Sequence, residues 1–131
     1  MIGLDTNVLV RVLVDDGSRD VAKARDFVAA RAAEGHDFHV DAVVLAETVW
    51  VLETVFGYGR PDIAAAVGAL LGNAAYILDG RAAVAAALAG FSATKADFSD
   101  CLIVARNTAA ACDGTATLDK AMKHLPGALP V

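Results

Sequence analysis

Met1-Ile2-Gly3-Leu4 is an apolar stretch of strand length that stops on Asp5, directly before a second apolar stretch beginning at Val8. A carboxylate where a buried strand ends and a helix starts lies at the carboxyl edge of a parallel α/β sheet, the edge at which such sheets hold ligands. Asp5 is therefore the first candidate functional residue, although a lone Asp before an apolar helix is also a cap. Phe38-His39-Val40, Ala75-Tyr76-Ile77-Leu78 and Gly114-Thr115-Ala116-Thr117 read as further short strands separated by longer helical patterns. The alternation predicts an α/β fold, a three-layer α/β/α sandwich with a mainly parallel central sheet. A length of 131 residues predicts a single domain over 1–131 with one core.

The helical segments differ in how far the sequence settles them. Val8 to Val14 is rich in β-branched residues and reads as strand by propensity, and periodicity cannot arbitrate over so few residues. From Ser18 to Gly35 a helix is expected, with Val21, Ala24, Phe27 and Val28 on its apolar face. Asp41 reads as the cap of a nearly all-apolar helix through Phe56, so both of its sides should be covered. Arg60-Pro61-Asp62 starts the next helix, faced by Ile63, Val67, Leu70 and Leu71 and expected to form an antiparallel hairpin with its predecessor. Asp79 reads as the cap of a helix from Arg81 to Ala89 closed by Gly90, with Phe91 to Lys95 a loop. Asp97 and Asp100 then lie one turn apart on one helix face, with Phe98, Cys101, Leu102, Ala105 and Ala109 on the buried one. A short helix carries Lys120 and Lys123, and Val131 can finish an edge strand.

Composition narrows the function classes. The chain is 56% hydrophobic, much of it alanine, yet no apolar run reaches the roughly 18 residues that span a bilayer. Asp5, Asn7 and Arg11 interrupt the amino-terminal segment, so no signal peptide is expected and the location implied is cytoplasmic. Cys101 and Cys112 form no metal-ligand pair and read as small core residues on one helix face. His36, His39 and His124 are scattered and read as structural or surface residues. A net charge of −5 argues against a general nucleic-acid binder, but a carboxylate cluster that gathers cations can still meet phosphate.

The acidic residues carry the chemistry. Glu47, Asp100 and Asp119, with Asp97 nearby, each interrupt an otherwise apolar or strand-like stretch, as Asp5 does. Two carboxylates about 4 Å apart repel by roughly 4 kcal/mol at an effective dielectric near 20, so a group of four needs a divalent ion or must hold protons. No histidine, nucleophile elbow or phosphate-cradling glycine loop accompanies them. Hard oxygen donors of this kind suit Mg²⁺ or Mn²⁺, and such ions activate water and polarise a phosphodiester. Hydrolysis of a phosphodiester is the reaction inferred.

Met1-Ile2-Gly3-Leu4-Asp5-Thr6-Asn7-Val8-Leu9-Val10-Arg11, Ala46-Glu47, Ala96-Asp97-Phe98-Ser99-Asp100 and Thr117-Leu118-Asp119-Lys120, in that order, resemble the signature of PIN-domain ribonucleases, in particular the VapC toxins of toxin–antitoxin pairs. The resemblance spans almost the whole chain. It implies a helix after Asp5, a metal site lined by Asp5, Glu47, Asp100 and Asp119, and an RNA substrate. It also implies a cognate VapB-like antitoxin that puts a basic side chain among the carboxylates, and a homodimer or toxin–antitoxin hetero-oligomer. Asp97 either touches metal or holds a ligand in place, and its position at a helix start explains it too. Thr6, Asn7 and Thr117 could orient a carboxylate or a metal-bound water, while Thr6 and Asn7 could equally cap the first helix. Arg11, Lys95, Lys120 and Lys123 could guide RNA or simply be solvated. A haloacid-dehalogenase-like phosphatase would need an acid where Asn7 stands, and a receiver domain would need an acidic pair at the amino terminus. The remaining rival is an inactive PIN-like binding module that acts with a protein partner in repression.

Overall fold

A computed structural model describes the chain from Met1 to Val131. Five short strands and six helices alternate along it: β1 (Ile2–Gly3), α1 (Thr6–Leu13), α2 (Arg19–Ala33), β2 (Phe38–Val40), α3 (Ala42–Thr54), α4 (Arg60–Leu71), β3 (Tyr76–Leu78), α5 (Arg81–Ala93), α6 (Phe98–Ala109), β4 (Thr115–Thr117) and β5 (Ala128–Pro130), with a 3₁₀ turn at Met122–His124. Every strand pairing is parallel. Hydrogen bonding joins β1, β2 and β3 in that order and pairs β4 with β5 separately. The predicted α/β/α sandwich is the fold observed, with its strands shared between a three-stranded and a two-stranded ladder.

One core fills the space between sheet and helices. Phe38 and Val40 from β2, Leu9 from α1, Leu45 and Leu52 from α3, Ile63 and Val67 from α4, Val84 and Phe91 from α5 and Phe98 from α6 are essentially inaccessible. No helix is long and apolar enough to cross a membrane.

Several expectations are corrected by packing. The strand that propensity alone allowed from Val8 onward is instead the helix the resemblance implies, with Thr6, Leu9 and Val10 on its buried side. Phe27, expected on the buried face of α2, is 41% exposed. The outer side of α3 is uncovered, leaving Val43 and Trp50 64% and 63% exposed. Helix α4 touches α3, its expected hairpin partner, but packs chiefly on α5. Asp79 caps nothing: Gly80 occupies the cap of α5 with φ of 70°, and the Asp79 carboxylate pairs with Arg106 at 3.4 Å.

Gly90 does not end α5, which runs on to Ala93. A β-carbon there would stand 3.0 Å from Leu125 Cδ2, so the glycine marks a close approach between α5 and the carboxyl-terminal segment rather than a stop. On α6 the buried side is Phe98, Cys101, Leu102 and Val104, whereas Ala109 is exposed. Cys112 falls beyond the end of α6 and is exposed, so only Cys101 behaves as a core residue.

Candidate active site

Each of the first four strands is followed within two residues by an aspartate: Asp5, Asp41, Asp79 and Asp119. They separate by what their carboxylates do. Asp41 accepts from Val43 N at 2.7 Å as the cap of α3, and Asp79 is neutralised by Arg106. Asp5 and Asp119 have no cationic partner within ion-pair distance.

Asp5 caps α1 with Oδ1, which accepts from Thr6 N at 2.8 Å, while Oδ2 has no protein donor. Thr6 is thus the first residue of the helix and not its cap. Its hydroxyl is buried and donates to Glu47 Oε2 across 3.2 Å, tying the end of β1 to the middle of α3. Of the two roles open to Thr6 in the sequence, holding a carboxylate is the one its contacts fit. Asn7 faces solvent and borders a recess between α1 and α2, with no side-chain hydrogen bond. Glu47 itself is exposed, on the same uncovered stripe of α3 as Val43 and Trp50. The helix therefore presents this charge at a rim, where water or a cation reaches it, and no burial cost arises.

A second group forms at the start of α6. Asp97 is the N-cap of α6 by position, but its carboxylate makes no cap hydrogen bond. Asp100 is half-buried, and its carboxyl is held above the usual carboxylate range, first by burial and then by the charges of Asp97 and Asp119. Asp97 and Asp119 are thus each near enough to repel Asp100. Asp119 is fixed at both ends: its N–H donates to Thr117 Oγ1 at 2.9 Å, and its Oδ1 accepts from Ala121 N and Met122 N at 2.7 and 3.1 Å. Thr117 in turn donates to Met122 Sδ at 3.4 Å, so it positions Asp119 through the backbone.

A narrow cleft of about 70 Å³ links α3 to α6, lined by Ala46, Trp50 and Glu53 on one side and Asp97, Phe98 and Ser99 on the other. It brings the neighbour of Glu47 against the neighbours of Asp100. Glu53, which the sequence suggests is a solvated or partner-facing residue, is half-buried here and its carboxyl is raised, by burial first and Asp97 second, with Arg60 opposing. Arg60 is the other residue that sequence reading missed. Its Nη2 donates to the carbonyls of Phe91, Thr94 and Ala96 at 2.6, 3.0 and 3.0 Å, and its guanidinium lies 3.7 Å over the Phe91 ring. It fixes the segment that delivers Asp97. Neither role has a local signature, because both arise from how α3 and α4 meet residues about 30 to 50 positions away.

The chemistry of the donors fits a hard divalent cation, since the exposed carboxylate oxygens of Asp5, Glu47, Asp97, Asp100 and Asp119 face no protein cation. Their placement is open. No three Asp, Glu, His or Cys side chains stand close enough to enclose an ion. An ion that keeps several waters and takes one or two carboxylates directly needs no such cage.

Strand-end aspartates, an acidic helix start and wholly parallel strand pairing define an α/β domain with acids at its strand ends. The PIN domain family matches residues 2–128, and the chain belongs to it. PIN domains generally act on RNA, and some pair with antitoxins. No curated protein matches the chain.

Proposed function

We propose that this PIN domain is a metal-dependent endoribonuclease, using Mg²⁺ or Mn²⁺ held by Asp5, Glu47, Asp100 and Asp119, and the toxin component of a type II toxin–antitoxin pair. The observation that carries the reading is Asp100: partly buried, pressed by Asp97 and Asp119, and facing no cation of the protein. A carboxylate kept charged under those conditions is stabilised by a bound cation. Held by these residues, such an ion would supply an activated water and would stabilise charge on the phosphodiester.

The chain's own residues do the positioning. Thr6 holds one oxygen of Glu47, the α1 amide holds one oxygen of Asp5, and the turn after β4 holds one oxygen of Asp119, which leaves the second oxygen of each free to ligate. Asp97, uncommitted at its helix start, adds negative charge beside Asp100 and is proposed to orient a ligand or a water. In the reaction a water oxygen adds to phosphorus and a P–O bond to one ribose breaks. The water's proton ends on the leaving ribose oxygen, giving a phosphate monoester and a free hydroxyl.

The open arrangement of the acids favours one alternative, a catalytically inactive PIN-like binding module acting with a protein partner. Purified protein incubated with structured RNA separates the two. Cleavage that requires Mg²⁺ or Mn²⁺ and stops in Glu47→Gln supports the nuclease; intact RNA with either metal supports the binding module. The toxin assignment predicts a small cognate antitoxin, a homodimer or hetero-oligomer, and a basic side chain of the antitoxin among the carboxylates. Co-expression with the adjacent gene followed by pull-down tests it, and absence of a complex counts against it.

A further inference from the structure

Beside the acids lies their electrostatic opposite. A recess of about 480 Å³ is lined by Ala93, Thr94, Lys95, Lys120, Ala121 and His124. Lys95 stands two residues before Asp97 and Lys120 directly follows Asp119, so the recess borders the group that crowds Asp100. Lys95, Lys120, Lys123 and His124 are exposed and none is ion-paired, in a chain of net charge −5 whose Arg11, Arg25, Arg31 and Arg106 all pair with carboxylates. Two of the four lysines of the whole chain line the recess, and a third, Lys123, directly precedes His124. Ala93, Thr94 and His124 also border a larger furrow of about 760 Å³, whose wall at Gly90, Leu125 and Pro126 is apolar.

We propose that Lys95, Lys120 and His124 form a subsite for the phosphodiester backbone of single-stranded RNA, with the apolar furrow beside them receiving its bases. The inference rests on the nuclease reading and extends it by giving the substrate a path. A backbone seated on the lysines passes the Asp97–Asp100–Asp119 group, as a strand must to be cut there. Cations that flank an acidic centre offset its repulsion of a polyanion, and each phosphate contact releases counterions. An acidic polypeptide would also find the lysines, but nothing in that reading explains their gathering in one recess beside the carboxylates.

The test is fluorescence anisotropy with a labelled oligouridylate of about twelve nucleotides, a length within the usual span of single-strand sites, in Ca²⁺ to suppress cleavage. Wild type is compared with Lys95→Ala/Lys120→Ala and with Arg81→Ala, an unpaired exposed cation about 18 Å away along α5 by helical rise. The double variant is expected to bind about tenfold more weakly, and its slope of log affinity against log salt to fall by about 1.4, or roughly 0.7 per lost contact. Arg81→Ala should match wild type. Both variants alter exposed side chains without hydrogen bonds, and circular dichroism checks their fold. Equal affinity and slope in wild type and double variant, or no binding by either, overturns the proposal. So does displacement of the probe by polyglutamate as effective as by unlabelled oligouridylate, which would assign the recess to an acidic polypeptide. Lysine-dependent binding without cleavage in Mg²⁺ or Mn²⁺ would keep the subsite and sink the nuclease. Unchanged binding and cleavage in the double variant would do the reverse.

Discussion

At the scale of single residues, three of the candidate carboxylates, Asp5, Glu47 and Asp119, are each held by one oxygen. Thr6 tests whether that holding matters. Thr6→Val removes the 3.2 Å bond to Glu47 while filling a similar volume, and metal affinity and cleavage are expected to fall by about tenfold, the lower end for lost supporting contacts. Thr6→Ser should restore most of both, since it keeps the hydroxyl; a Thr6→Val variant that binds Mn²⁺ as well as wild type would refute the role.

Asp100 gives a pH signature. Its folded-state pKa lies above 3.8, so in the window between the two values the folded chain holds more protons than the unfolded one. Stability of the metal-free protein should therefore fall as pH rises from about 4 through the raised value, and then level off. Glu53 acts with the same sign. Asp100→Asn should flatten the slope in urea titrations run without metal; an unchanged slope would mean the crowding is absent in solution. Asp5, Glu47, Asp97, Asp100 and Asp119 stood out in the sequence because charge inside apolar runs is conspicuous, whereas the half-buried setting of Glu53 did not. Which oxygen each uses, and that Thr6 and not Asn7 meets Glu47, depends on the angle between β1 and α3 and was not legible there.

At the scale of elements, short strands and long helices were readable from alternation, while boundaries shifted where tertiary contacts intervened. Gly90 illustrates the difference: a glycine near a helix end reads as a stop, yet here it lets Leu125 approach a continuing helix. Gly114 shows the same need more strictly. A β-carbon there would lie 2.6 Å from Leu129 Cδ1 and 3.1 Å from Gly127 O, between the paired β4 and β5 ends. Gly114→Ala is expected to destabilise by about 1–3 kcal/mol, the usual cost of overpacking, measured by chemical denaturation.

Thr48 offers the opposite sign. Its hydroxyl is buried on α3 without a partner, so Thr48→Val should be neutral or stabilise by about 1 kcal/mol. A clear loss of stability would show that the hydroxyl has a partner after all. The uncovered stripe of Val43, Glu47 and Trp50 on the same helix was not foreseeable, because an all-apolar helix carries no sign of which side will lack a neighbour.

At the scale of the molecule, charge is distributed unevenly. Arginines on α1, α2 and α6 neutralise the acids near them, whereas the carboxylates at the ends of β1 and β4, on α3 and at the start of α6 are left without cations. A fold so arranged should be stabilised by what fills the gap. Mn²⁺ at a hundred times its dissociation constant is expected to add about 2.7 kcal/mol to the free energy of unfolding, seen as a rise in melting temperature that EDTA reverses. The most direct measurement is calorimetric titration of Mn²⁺ into wild type, Asp5→Asn and Asp100→Asn, one variant from each acidic group. Convergence of the two groups on a shared ion site requires saturable binding in wild type that either substitution abolishes. Saturable binding that survives both substitutions, or none in wild type, would contradict it.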